Sequence, residues 1–274
     1  MSRAVTMRWR FIAVNVALAL ASLDARAQQT IPATALPTGG RLAGGQATIS
    51  QSGTAMSIVQ STPRAALDWQ SFNIGANASV VFSQPSANAV ALNRVLGGDP
   101  SQIFGRLSSN GQVFLTNPSG ILFGRGAQVD VGGILATTLA MSTDDFMSGH
   151  YLLRGNGTNS SILNEGTLRS APKGYVALIA PLVQNEGIID ATRGTAALVA
   201  ANAATVDFMA DGLIQIKVDQ GALNAELNNK GAIRADGGTV FLTAKGLDGL
   251  ARGVVNNSGI IEARAVESVQ GVIT

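Results

Sequence analysis

The sequence predicts an all-β protein: a parallel β-helix, or solenoid, with an N-terminal β-hairpin cap and short helical or hairpin insertions. Composition is the first of three observations behind this. Gly contributes 32 of 274 residues and charged residues only 13%, while 46% of the chain is hydrophobic and 5% aromatic. The apolar mass is therefore Ala, Val, Leu and Ile, which suits many short strands joined by tight turns. A helical bundle would need long runs of Leu, Glu and Lys. A disordered chain would lack the apolar content to bury a core.

The second observation is a repeat, N-x-G-x-[IL], at Asn164-Glu165-Gly166-Thr167-Leu168, Asn185-Glu186-Gly187-Ile188-Ile189, Asn229-Lys230-Gly231-Ala232-Ile233 and Asn257-Ser258-Gly259-Ile260-Ile261. The spacings are 21, 44 and 28 residues. The middle one is close to two coils of 22, and the last allows a loop insertion. The third observation is a glycine followed by alternating apolar residues, beginning at Gly174, Gly194 and Gly238, 9 or 10 residues after three of the asparagines. A period near 21 with two or three short strands per turn is a solenoid signature. Leucine-rich repeats share the period, but their L-x-x-L-x-L pattern is absent.

Identical positions of successive coils should stack about 4.8 Å apart. Glycine would supply φ > 0 at the corners, and asparagine could stack there as a hydrogen-bonded ladder. The inward Ala, Val, Leu and Ile would fill a core too narrow for aromatic rings. At about 21 residues per coil, the mature chain would make roughly a dozen coils and a rod on the order of 50 Å.

Upstream, Ala47–Ser50 and Ala55–Gln60 read as a hairpin around Gly53, the N-terminal cap. Val80–Phe82 and Val90–Leu92 are further short strands. Thr143–Ser148, Ala222–Leu227 and Leu247–Arg252 are expected to be helical interruptions, too short to form a second layer. Residues 265–274 offer no charge-rich or Pro-rich cap, so the C-terminal edge is expected to be open.

The first residues read as a signal peptide, 1–27. Arg3, Arg8 and Arg10 precede an apolar run from Phe11 to Leu23, and Ala25-Arg26-Ala27 supplies an A-x-A cleavage site before Gln28. The apolar run is too short for a membrane span of roughly 20 residues. Removing this segment takes the formal charge from +2 to −1. No Lys/Arg run of five follows, so nucleic-acid binding has no electrostatic footprint. No later apolar stretch is long enough to span a membrane. Cys is absent and His150 is the only histidine. Disulfide scaffolds, thiol nucleophiles, Cys-ligated metals and two-histidine metal sites are thereby excluded. No cofactor is expected.

Several ordered motifs carry a family resemblance. They are Trp69-Gln70-Ser71-Phe72-Asn73-Ile74, Asn93-Arg94-Val95, Asn110-Gly111-Gln112-Val113-Phe114-Leu115, Asn117-Pro118-Ser119-Gly120-Ile121 continuing to Gly124, and Val129-Asp130-Val131-Gly132-Gly133-Ile134-Leu135-Ala136-Thr137-Thr138. Residues 69–138 resemble the secretion domain of two-partner secretion exoproteins, the filamentous haemagglutinin N-terminal domain. The likeness extends more weakly to about Glu262, so the domain is read as residues 28–274, with regular coils over about 160–274. The family's N-P-N-G-I has Ser119 at its third position here. Its N-P-N-L motif has no counterpart, the nearest text being Gln84-Pro85-Ser86-Ala87, which makes the chain more similar to the high-molecular-weight adhesin branch. Family exoproteins usually run far beyond this domain. The chain could be a truncated product, an isolated domain or a short member.

The resemblance implies a right-handed β-helix from a Gram-negative bacterium, secreted through the periplasm to the cell surface or medium. It implies a partner, a cognate outer-membrane β-barrel transporter whose periplasmic POTRA domains recognise the chain while it is largely unfolded. Adhesion to host surface receptors or glycans would fall to a passenger beyond residue 274. The absence of cysteine is compatible with threading.

Asn117, Pro118, Ser119, Gly120 and Ile121 form the candidate recognition site. The motif is first a turn: Pro118 presets φ and Asn117 accepts a backbone hydrogen bond as an Asx turn. Replacing Asn117 by Ala is expected to lower secretion more than stability, since one net hydrogen bond is worth about 0.5–1.5 kcal/mol. Asp144-Asp145 after Ser142-Thr143 reads as a helix first turn rather than a catalytic pair, and His150 as a loop residue. Two rivals remain. A β-helical polysaccharide-degrading enzyme would need paired carboxylates or a calcium cluster, and no D-x-D cluster is visible. An autotransporter passenger would need a C-terminal barrel of amphipathic strands. The sequence reads as a non-enzymatic domain that directs export and nucleates β-helix folding.

Overall fold

The computed structural model describes residues 31–208, 214–247 and 252–264. The expected signal peptide, its cleavage point at Ala27 and Gln28, and the expected open edge at 265–274 lie outside the described residues.

Among these residues the chain forms a parallel β-helix of three sheets, with eight, six and nine strands, and a separate three-stranded antiparallel sheet. The nine-stranded sheet opens with the antiparallel hairpin Ala47–Ser52/Ala55–Gln60, whose turn holds Gly53 at φ 57°. Arg41–Gly44 lies antiparallel to Arg64–Trp69 at the start of the eight-stranded sheet. The expected cap is thus present and wraps two of the three faces.

From Ala55–Gln60 to Ile260–Glu262 the nine-stranded sheet passes through eight coils, fewer than a dozen. The 44-residue spacing is the main reason. Ile189 pairs directly with Ile233, so one coil spans the interval. The surplus residues leave the helix as the hairpin Ala203–Phe208/Ile214–Gln220. Ala222–Leu227 is not helical, and Leu227 lies in the strand Glu226–Asn229. Within Leu247–Arg252, residues 248–251 lie outside the described residues. The helix Thr143–Ser148 forms as expected. Ser142 Oγ accepts from Asp145 N–H at 3.0 Å, the acids occupy the first turn, and Gly149 caps the C-terminus at φ 81°.

The repeat registers as the sequence spacing requires. Asn164, Asn185, Asn229 and Asn257 align, as do Tyr175, Thr195 and Thr239. Asn164 Nδ2 donates to Asn185 Oδ1 at 2.8 Å, and the same bond recurs from Asn185 to Asn229 and from Asn229 to Asn257, both at 2.7 Å. The first three side chains are fully buried. A primary amide can repeat this way because it carries both donor and acceptor.

The repeat glycines serve a different purpose from the one expected. None of Gly166, Gly187, Gly231 and Gly259 has positive φ. A Cβ on Gly187 would overlap the carbonyl oxygen of Gly166 one coil earlier, and Gly231 meets Gly187 in the same way. Close backbone approach fixes them. Positive φ falls instead on the second corner, at Lys173 (66°), Arg193 (58°) and Gly237 (70°) in successive coils. A side chain in that region costs roughly 1 kcal/mol that glycine avoids.

On the outer surface of the nine-stranded sheet, Asp130, Arg169, Asp190, Arg234 and Glu262 are aligned in alternating sign. Arg169–Asp190 and Arg234–Glu262 form ion pairs at 3.4 and 3.3 Å. Like charges directly stacked would repel, so alternation supports the register.

The interior core is aliphatic from Ile134 onward, but Trp69, Phe72, Phe82 and Phe123 fill the first coils, which are longer than 21 residues and wider than the composition suggested. A second core covers the outside of the eight-stranded sheet. There the helix Thr143–Ser148 and the antiparallel sheet of Tyr151–Arg154, Ala203–Phe208 and Ile214–Gln220 pack Phe146, Tyr151, Val206 and Ile214 onto Leu92, Phe114, Leu135 and Ile179. The expectation that the interruptions could not form a second layer is therefore overturned. Two excursions, each too small alone, pair with one another. This explains why Tyr175–Ala180 and Thr195–Ala200 are buried at every position rather than alternately.

Asn185→Ala should destabilise the protein by roughly 2–5 kcal/mol, because it strands the buried amides of Asn164 and Asn229. Asn257→Ala, at the exposed end of the ladder, should cost less than about 1 kcal/mol. Chemical denaturation of the two variants beside the parent measures both. Equal losses would refute the ladder as a buried network.

Candidate functional site

The five candidate residues come together as one turn between the strands Gln112–Thr116 and Ile121–Phe123. Gly120 N–H donates to Asn117 O at 3.1 Å, and Ser119 N–H donates to Asn117 Oδ1 at 2.9 Å. The Asx turn expected at Asn117 is present. Gly120 adopts φ 121°, which few side chains tolerate, and its carbonyl accepts from Ser101 N–H at 3.0 Å. Ile121 enters the interior core.

Asn117 does more than close the turn. Its side chain is fully buried, and its Nδ2 donates to Asp99 O at 3.0 Å and to Ser101 Oγ at 2.9 Å. Its own N–H donates to Thr137 O at 3.0 Å. The residue links three successive coils. Loss of a single Asx bond therefore understates the cost of removing it. Pro118 and Ser119 are partly exposed, and Ser160 Oγ donates to Pro118 O at 2.5 Å from the next coil. Sequence reading missed Asp99 and Ser101, because nothing local marks them as partners of a residue 18 or 16 positions away.

The neighbouring motifs are also interior joints. Trp69 Nε1 donates to Asn93 Oδ1 at 3.0 Å, and Asn93 Nδ2 donates to Phe114 O at 3.2 Å, so one chain of bonds crosses three coils. Arg94 grips Asp68 Oδ1 through Nε and Nη2 at 2.8 and 2.6 Å. Gln84, which begins the segment standing in place of the missing N-P-N-L, is the hub of a buried network. Its Nε2 donates to Gln60 Oε1 and Ala89 O at 3.0 Å, and its Oε1 accepts from Ser109 Oγ at 2.5 Å. Asn110 Nδ2 donates to Gln84 O at 2.7 Å, and Asn110 Oδ1 accepts from Gln84 N–H at 2.7 Å.

Residues 28–274 match the family model of the TPS secretion domain, where TPS denotes two-partner secretion. The chain belongs to this family. A heme/hemopexin-binding protein of Haemophilus influenzae strain Rd is 36% identical over 218 residues, covering 77% of this chain and 24% of that protein. A second protein of that name from the same species is 30% identical over 238 residues, covering 80% of this chain and 25% of the relative. The chain thus spans about a quarter of the length of these relatives. The crystal structure of the HMW1 secretion domain from Haemophilus influenzae superposes with a TM-score of 0.77 at 31% identity, covering 84% of this chain and 60% of that one. The filamentous hemagglutinin secretion domain shares the fold, with a TM-score of 0.50 at 16% identity over 84% of this chain and 99% of that one.

As a TPS domain, the chain is the secretion module of an exoprotein with an outer-membrane transporter partner, and its relatives are not enzymes. Asp144 and Asp145 serve the helix first turn, His150 is exposed, and no helix among the described residues is long and apolar enough to cross a membrane.

Asn117→Ala should lower stability by about 2–4 kcal/mol, since it opens a buried site holding Ser101 Oγ and the Asp99 carbonyl. Ser119→Ala should change stability by less than about 1 kcal/mol. Thermal and urea unfolding of the two proteins would separate these values; a loss at Asn117 no larger than at Ser119 would contradict the buried joint.

Proposed function

We propose that this TPS domain carries its exoprotein to a dedicated outer-membrane transporter and starts β-helix folding once outside, in a surface adhesin. A signal peptide of residues 1–27 is removed between Ala27 and Gln28. POTRA domains of the transporter then read the turn Asn117–Ile121 while the chain is still unfolded. Binding to host receptors or glycans belongs to sequence beyond residue 274, and the domain performs no catalysis.

One observation carries the order of events. Asn117, Gly120 and Ile121 are buried in the folded domain, so a partner that reads their side chains must meet them before the coils stack. Pro118 favours the turn in the unfolded chain by restricting φ. The family match begins at residue 28, immediately after the proposed cleavage point, which supports that assignment. Folding that starts here is supported by the capped N-terminal coils, which offer each later coil a ready edge on which to pair.

The test must separate recognition from stability. Asn117→Ala and Asn185→Ala both remove a buried amide that bridges coils, but only the first touches the turn. The full chain is co-expressed with the POTRA transporter encoded beside it, and export to the medium is compared with material retained in the periplasm. At matched losses of melting temperature, Asn117→Ala should reduce export at least tenfold more than Asn185→Ala. Pro118→Ala should lower export with little change in melting. Parallel losses for both asparagine variants would make Asn117 a structural residue and remove the recognition role.

A further inference from the structure

A cleft of about 840 Å³ lies where the antiparallel sheet meets the outer face of the eight-stranded sheet. That volume falls within the range of small-ligand sites. Its floor is one outward row of the β-helix. Arg64, Val90 and Gln112 are aligned strand by strand, and Tyr175 follows beyond Gly133 in the same row. Gly133 must lack a side chain there, because a Cβ would press into the Tyr175 ring at 2.7 Å. The row spans four coil spacings, roughly 19 Å. Phe208 and Asp207 stand on the hairpin side, and Asn110 and Lys173 on the corner side.

The lining has a definite chemistry. Arg64 stands at one end of the row and Lys173 beside the other, and among the described residues neither is ion-paired with a carboxylate. Arg64 is held in place by a bond from its Nε to Tyr151 Oη at 3.3 Å. Tyr175 Oη donates to Gln112 Oε1 at 2.7 Å, and burial pushes the tyrosine hydroxyl well above its ordinary pKa, so it stays a neutral donor. Between the cations lie primary amides, which both donate and accept, as hydroxyl groups do. Asp207, exposed, is the one carboxylate in the lining.

Lys173 adds a second, independent observation. It holds φ at 66° at a corner where Gly237 occupies the equivalent place two coils later. Backbone strain of this kind persists where a side chain serves some other purpose. Arg193, strained in the same way in the next coil, is not part of the cleft lining.

We propose that this cleft binds an acidic oligosaccharide, extended along the coil axis, with carboxylates on Arg64 and Lys173 and hydroxyls on the amides between. Arginine suits the first contact because its fork matches a carboxylate. The site lies on the folded domain and is independent of the secretion reading, whose failure would not affect it.

The experiment is calorimetric titration of the purified secreted protein with tetragalacturonate, with maltotetraose as the neutral probe and tetraglutamate as the acidic peptide probe. Tetragalacturonate should bind and the other two should not. Lys173→Gly should melt at a higher temperature and yet bind at least tenfold more weakly. Arg64→Gln should also weaken binding tenfold. Arg193→Gly should melt higher with unchanged affinity, which separates relief of strain from loss of the ligand contact. The proposal is overturned if tetragalacturonate does not bind, if maltotetraose or tetraglutamate binds equally well, or if Lys173→Gly retains the parent affinity.

Discussion

Every coil of this protein sits about 4.8 Å from the next, and most of its chemistry follows from that spacing. At this distance each side chain has its own counterpart as a neighbour, so a column of residues must be compatible with itself. Asparagine satisfies the condition directly, and Asn164, Asn185, Asn229 and Asn257 bond amide to amide. Charges cannot repeat, and the column from Asp130 to Glu262 alternates in sign. Glycine appears where backbone meets backbone, as at Gly187 over Gly166. Three different residue choices are thus answers to one geometric demand.

The eight-stranded sheet imposes a second demand. Its outer face carries Leu92, Phe114, Leu135, Ala177 and Ala197, which would be an exposed apolar strip on a bare solenoid. The chain covers it with two excursions that meet at the pairing of Tyr151–Arg154 with Ala203–Phe208. Phe208 stacks on Phe114 at 6.0 Å and meets Tyr151 edge-on at 5.0 Å, which ties the cover to the floor. The cover stops short of Arg64, Gln112 and Tyr175, and the cleft is the gap it leaves.

The TPS motifs acquire a physical meaning in this frame. Trp69, Asn93, Asn117 and Thr137 are joints between early coils, bonded across one or two levels. A residue of this kind is exposed to a partner only while the coils are apart. In the proposed route, one turn therefore serves twice, as a linear signal before folding and as an interior joint after it. The order of events, rather than separate residues, keeps the two uses distinct.

The sequence by itself determined the repeat, the three-faced coil and the register. N-x-G and the following glycine recur at offsets that only stacked strands satisfy, and the Asn ladder and the Gly53 hairpin were legible because their partners repeat or adjoin. The turn at Asn117 was legible for the same local reason, as Asn-Pro-x-Gly encodes its own geometry. Only the tertiary structure decided what lies between repeats. A spacing of 44 residues is equally two coils or one coil with a hairpin, and the choice rests on Ala203–Phe208 finding Tyr151–Arg154 about fifty positions away in sequence. Tertiary packing also showed that Asn117 binds Asp99 and Ser101, that the repeat glycines answer to contact rather than φ, and that Arg64, Gln112 and Lys173 line one cleft. Those relations join distant residues with no shared period, and a linear pattern carries no trace of them.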